Sequence, residues 1–314
     1  MKNNKANQFT LTRVYNAPLK TVWEAWVDPK QAVKWWGPRG FTTVSKSKDL
    51  RSGGEWLYTM TGPDGTVYEN RHYYYEVEKY SHMIYDHGAI GQKPVFRVEV
   101  RFAEEKNKTR LEFTMICETE QAAKDIQVHI KKANGESTWD RLGEYLEKQV
   151  DNKEVFIINR SFNVSIAKMF DMWANPKHLA AWMGPKESEL TMIRAKIQSG
   201  GSLFYSMSMA GQKMFGRAEY LAVEKPTLLT YRQQFCDENE KPSRHPFAAT
   251  WPMSMLTTIT FAEENANRTR VTIHWQPEGK VTAEELETFI KGRDGMTMGW
   301  TGSLDKLDEY LPSV

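Results

Sequence analysis

Any chemistry in this chain would come from a small set of side chains. His87 stands first, because it shares strand parity with Met83 and Tyr85, and alternate residues of a strand point to one face. A histidine on such a face titrates near neutrality and can orient a polar ligand group or act as general acid or base. The alternative is an exposed histidine at a strand end. His72 and His82 lie nearby, but no spacing sets two ligands on one helix face or closes a metal site. No metal and no cofactor is expected. Arg13 and Arg160 share parity with apolar neighbours in their segments, where a guanidinium needs a carboxylate partner. Glu24 and Asp171, on the helices that follow, are the expected partners, tying strand to helix.

Cys117 and Cys236 fall in different halves of the chain. That excludes a disulfide framework and any thiolate metal cluster, and neither has a histidine activator close in sequence. No Gly-x-Ser-x-Gly elbow, Walker loop, dinucleotide fingerprint or His-Glu-x-x-His pair occurs, so no catalytic residue is assigned.

These residues sit in a chain of 314 residues whose 42 Lys and Arg nearly balance 40 Asp and Glu, for a net charge of +2. Such a balance offers no cation excess for nucleic acid. With 40% hydrophobic and 26% charged residues, the composition is that of an ordinary globular chain, long enough for two domains. Residues 1–8 are rich in Lys and Asn, with no apolar core of a secretory signal, and no apolar run approaches a bilayer span. A soluble cytoplasmic protein is expected.

An internal repeat organises the chain. Laid on residues 156–185, residues 9–38 match at nine positions of thirty without a gap: Phe9, Arg13, Asn16, Trp26, Pro29, Lys30, Trp35, Gly37 and Pro38. Composition alone would give about two. Gly53-Gly54 repeats as Gly200-Gly201, and Glu144-Tyr145-Leu146 as Glu309-Tyr310-Leu311. The shift grows through small insertions, the largest between Phe235 and Met255. A period near 150 is domain duplication, with domains 1–150 and 151–314 joined through the polar stretch 148–153.

Each half reads as a strand, two short helices, six strands and a long helix. In the first half the strand is 9–15, the helix 19–27 follows Pro18, and a second helical turn covers 31–36. Strands are expected at 41–50, 55–61, 67–77, 82–87, 95–103 and 109–117, and a closing helix from about 120 to 148. Thr282 and Glu285 form a capping-box pattern at the corresponding helix of the second half. An antiparallel sheet with one apolar face needs a cover, and the terminal helix supplies it.

Strand parity then selects the side chains that face that helix. In the first half these are Trp56, Tyr58 and Met60, Tyr85 and His87, Phe96 and Val98, and Phe113 and Met115. In the second half Tyr205 and Met207, Tyr231 and Gln233, Met255, and Ile273 and Trp275 hold the equivalent places. Phe289 and Trp300 join them from the closing helix. Such a set is either ordinary core or the lining of an apolar pocket with a few placed polar groups. Gln233, aligned with His87, keeps hydrogen bonding without titrating.

Several of these patterns resemble a known family. Arg13-Val-Tyr-Asn-Ala-Pro18, Val22-Trp-Glu-Ala-Trp26, Asp28-Pro29, Trp35-Trp36-Gly-Pro38 and Asp49-Leu-Arg-Ser-Gly-Gly54 are similar to the AHSA1-like branch of the SRPBCC (START/Bet v1-like) superfamily. So are Trp182-Met-Gly-Pro185, His245-Pro246, Trp251-Pro252 and Gly299-Trp-Thr-Gly-Ser-Leu304. The resemblance implies an α+β fold of two tandem helix-grip domains, each a curved antiparallel sheet wrapped around a long C-terminal helix. It also implies binding of a small hydrophobic or aromatic ligand in one or both cavities. A chaperone partner is implied by the family name alone, and a cavity enzyme, with His87, Tyr58 and Tyr85 around a bound ring, by other superfamily members. The halves differ: Lys196 and Gln198 replace Asp49 and Arg51, and Asn134-Gly135 stands where the second half has Gly299-Trp300. The two cavities are therefore not expected to be equivalent.

Overall fold

A computed structural model describes residues 6–132, 135–151, 155–209 and 211–314. The chain divides into two compact units, Met1–Asp151 and Asn152–Val314. The first runs β1 (Gln8–Tyr15), α1 (Leu19–Val27), α2 (Pro29–Ala32), β2 (Thr42–Lys48), β3 (Glu55–Thr61), β4 (Val67–Glu78), β5 (His82–Ala89), β6 (Phe96–Glu105), β7 (Lys108–Ile116), α3 (Glu120–Lys132) and α4 (Ser137–Asp151). The second repeats that order: β8 (Phe156–Phe162), α5 (Ile166–Ala174), α6 (Pro176–Trp182), β9 (Glu189–Ala195), β10 (Ser202–Met209), β11 (Gln212–Glu224), β12 (Leu228–Cys236), β13 (Met255–Asn265), β14 (Arg268–Pro277), α7 (Ala283–Lys291) and α8 (Arg293–Tyr310).

Each unit has one antiparallel sheet of seven strands, in the order β1-β7-β6-β5-β4-β3-β2 and β8-β14-β13-β12-β11-β10-β9. Hairpins build six strands of each sheet in sequence, and the first strand pairs with the last. The helices cover one face, as the one-sided apolar parity requires. The result is the α+β helix-grip arrangement, twice.

Local rules explain the short helices. Asp28 precedes Pro29 and is held extended, at φ −71° and ψ 116°, which stops α1. The same carboxylate then accepts the Lys30 N–H at 2.9 Å and caps α2. The second turn therefore starts at Pro29 instead of Gln31, and Trp35 and Trp36 follow it as buried irregular chain. Trp35 holds its place by donating its indole N–H to the Ala25 carbonyl at 3.0 Å, and Trp182 repeats this on Met172 at 3.0 Å.

The expected single closing helix is two helices in each unit. In the first, the Gly135 N–H turns back onto the Ile130 carbonyl at 2.7 Å, and α4 sets off anew at Ser137. Asn134 lies outside the described residues. In the second, Gly292 separates α7 from α8, and α7 opens with the Thr282–Glu285 capping box. Arg13 and Arg160 also find partners other than those expected. Arg13, 1% exposed, donates to Glu136 at 2.9 Å, and Arg160 donates to Asp305 at 2.7 Å. Strands β1 and β8 turn these side chains inward, where the closing helical segments lie; Glu24 instead pairs with Lys20.

Candidate functional site

The second unit holds a cavity of about 410 Å³ between its sheet and α8, within the size range of small-molecule pockets. Sheet strands supply Tyr205, Met207, Met214, Phe215, Gln233, Phe235 and Trp275. Gly292, Gly295, Met296, Gly299, Trp300 and Ser303 line the helical side. The insertion after β12 contributes His245 and Trp251, and it is latched to α7: Arg244 pairs with Glu285 and Thr250 bonds Thr288 at 2.8 Å.

Glycine makes the room in this cavity. A side chain built at Gly295 or Gly299 would meet nothing within 4 Å. Gly184, at the rim, has φ +100°, and a Cβ there would sit 2.6 Å from Ser188 Oγ and 2.9 Å from Met207 Cε. This is the physical content of the repeated Trp-x-Gly-Pro signature: a left-handed turn carries the chain past the cavity mouth with no side chain in the way.

Polar groups are few. Gln233 donates to the Tyr205 hydroxyl at 3.1 Å, and burial pushes that phenol up to about 12. His245 Nδ1 accepts the Phe247 N–H at 3.0 Å, which puts its proton on Nε2. Burial lowers its pKa, keeping the ring neutral. Every lining group is uncharged at neutral pH.

A smaller cavity of about 140 Å³ occupies the same place in the first unit. Tyr58, Met60, Tyr85, His87, Phe96, Val98, Phe113 and Met115 line it from the sheet, with Trp36, Ile130 and Trp139 opposite. The reduction has identifiable causes. Trp36 stands where the second unit has Met183, and Ile130 and Trp139 align with Gly295 and Leu304. Trp139 stacks on Trp26 with centroids 5.4 Å apart, and lies 4.5 Å from Phe113.

This smaller cavity holds a chain of hydrogen-bonding groups. His72 Nε2 lies 3.0 Å from the Tyr58 hydroxyl and 3.1 Å from His87 Nδ1. Burial drives His72 well below the usual imidazole range, helped by neighbouring His87 and Lys48, and lowers His87 to about 4. Both rings are neutral at pH 7. Parity had placed His87 on the cavity face but had weighed His72 only as a metal ligand. His72 shares its face of β4 with buried Asn70 and Tyr74, and that parity was the available signal.

Thirteen of the eighteen candidate residues line one of these two cavities. The other five do not. Trp56, Met255, Ile273 and Phe289 are packed core, and Tyr231 borders a void of about 30 Å³. Parity chooses a face of the sheet but not a depth along it, and side chains deeper under the helices pack solidly. The candidate residues read from the sequence do not include Met183, Met214, Phe215, Phe235, His245, Trp251 and the α8 glycines, which come from loops, the paired ends of β11 and β12, and a helix. Among the described residues, no cluster of three or more His, Cys, Asp or Glu could hold a metal. No described helix is long and apolar enough to cross a membrane.

Two tandem helix-grip domains, each with a neutral cavity under its closing helices, define a protein of the SRPBCC (START/Bet v1-like) class. Within that class the chain belongs to the family of activator of Hsp90 ATPase homolog 1-like proteins, whose model matches residues 16–147 and again 163–312. No curated protein matches the chain. Among solved structures it is similar to protein Ms6760 from Mycobacterium smegmatis, at 25% identity and TM-score 0.43, over 46% of this chain and 93% of that one. A protein from Arthrobacter aurescens is similar at 25% identity and TM-score 0.42, over 47% and 90%. The AHSA1 protein from Silicibacter pomeroyi is similar at 17% identity and TM-score 0.38, over 50% and 97%.

Proposed function

We propose that this chain binds uncharged, apolar small molecules, with the second domain as its larger pocket. The observation that carries the reading is the 410 Å³ cavity, walled by methionine and tryptophan and kept open by side-chain-free positions on α8. Methionine adapts to irregular apolar shapes, and flat tryptophan faces suit rings. A neutral lining disfavours charged ligands, since a buried ion needs a partner. The Tyr205–Gln233 pair and His245 Nε2 supply the few polar contacts that orient a ligand.

Methionine-methyl NMR tests this directly, because Met183, Met207, Met214 and Met296 border the cavity while Met298 is 73% exposed. Titration with naphthalene or decanol is expected to move the four cavity methyls and leave Met298 in place. No movement up to the solubility limit, or movement confined to exposed methionines, would overturn the reading.

A further inference from the structure

The first-domain cavity has features that a merely greasy void lacks. The Tyr58 hydroxyl is fully buried, and the acceptor within its reach is His72 Nε2 at 3.0 Å. Tyr58 therefore donates to His72, since a buried hydroxyl proton without an acceptor is costly. His72 Nε2 is then an unprotonated acceptor, and a proton on His87 Nδ1, 3.1 Å away, lets that nitrogen share the lone pair instead of opposing it with its own. A neutral imidazole holds one such proton, so His87 Nε2 is an acceptor, and no protein group pairs with it among the described residues.

A second observation is independent of this chain. Tyr85, 1% exposed, lines the same cavity, and its buried hydroxyl has no hydrogen-bond partner among the described residues. Buried polar atoms left unpaired are rare and call for an explanation. Size sets the third limit. At about 140 Å³, the space compares with the engineered apolar cavity of about 150 Å³ that takes up benzene. It has room for one six-membered ring.

We propose that the first-domain cavity is a site for a single-ring hydroxyarene, whose hydroxyl donates to His87 Nε2 and accepts from the Tyr85 hydroxyl. Phe96, Val98, Phe113 and Met115 supply the apolar bed for the ring. The second domain lacks this device, because Ala218 and Gln233 stand in place of His72 and His87. The proposal rests on the helix-grip cavity being a ligand pocket, but not on occupancy of the second domain.

Phenol, anisole and toluene, titrated into the full chain and read at the Met60 and Met115 methyls, separate the possibilities. Phenol should bind about threefold to tenfold tighter than toluene per hydrogen bond gained, and anisole, which can accept from Tyr85 but cannot donate to His87, should fall between the two. Tyr85→Phe removes a hydroxyl with no partner among the described residues, so it should fold as well as the native chain and lose part of the phenol preference. His87→Leu should remove the share owed to the donated bond while toluene still binds, and His87→Gln, which keeps an acceptor, should restore part of that share. Equal binding of phenol and toluene, or a preference left undiminished by both Tyr85→Phe and His87→Leu, would overturn the proposal while leaving the cavity reading intact. Failure of all three probes to move Met60 and Met115 would remove the cavity reading for this domain, and the proposal with it.

Discussion

His72 and His87 are the residues where position changes chemistry most. The His72 ring is buried against Tyr58 and Tyr85, and the His87 ring is half-buried between His72 and Phe96. Both have pKa values below that of a free imidazole, His87 at about 4. Between pH 6.5 and 4 the unfolded chain takes up protons at these sites that the folded chain refuses. More protons bound to the unfolded state means stability falls as pH falls. For His87 alone the loss is on the order of 3 kcal/mol across that window. Urea midpoints of the first domain, followed by amide exchange on β4 and β5, should fall from pH 7 to pH 5, and His87→Gln should flatten that slope. An unchanged slope would mean that His87 is not a buried neutral base. The sequence exposed only half of this arrangement. His87 was visible through its parity with Tyr85, whereas the contact with His72 depends on the β4–β5 register that sets His72 opposite His87, which no local pattern encodes.

Among the secondary elements, the closing helices decide whether there is a pocket at all. Starts and stops near proline were legible: α1 spans Leu19–Val27 because Pro18 opens it and Asp28-Pro29 closes it. The interruption after α3 was not, because amphipathic spacing continues across a redirected turn and shows no change of phase. The α8 glycines carried a different message from the usual one of weak helix. Gly295 and Gly299 face open space, so adding atoms there meets no clash. Gly299→Ala should raise stability by about 0.5–1 kcal/mol through backbone entropy alone. Gly295→Leu should fill the second cavity, leaving the fold in place while naphthalene and decanol no longer move the Met207 and Met214 methyls. Retained binding in a folded Gly295→Leu variant would mean that the ligand does not use the space beside α8.

Across the whole molecule, duplication has yielded two cavities of different size from one plan. The repeated Arg, Trp and Gly-Pro positions, readable at a shift of 147, are those that build the scaffold: inward ion pairs, indole-to-carbonyl bonds and the left-handed rim turn. The positions that diverge are those that line space, such as Trp36 against Met183 and Ile130 against Gly295. Alignment of the halves could show that they differ, but not that the difference is one of volume, because that depends on which side chains meet across the sheet. Each unit also has its own hydrophobic core, so a lesion in one acts first on its own cavity. Trp139→Ala removes the ring that stacks on Trp26 and roofs the first cavity, a loss of about 3–5 kcal/mol for a buried aromatic. That variant should unfold at lower urea in its first domain and admit larger rings there, with naphthalene newly moving Met60 and Met115. The naphthalene response of Met207 and Met214 should stay as in the native chain. A changed response at those two methyls would show that the two cavities are coupled, and that the duplicated domains act as one binding unit.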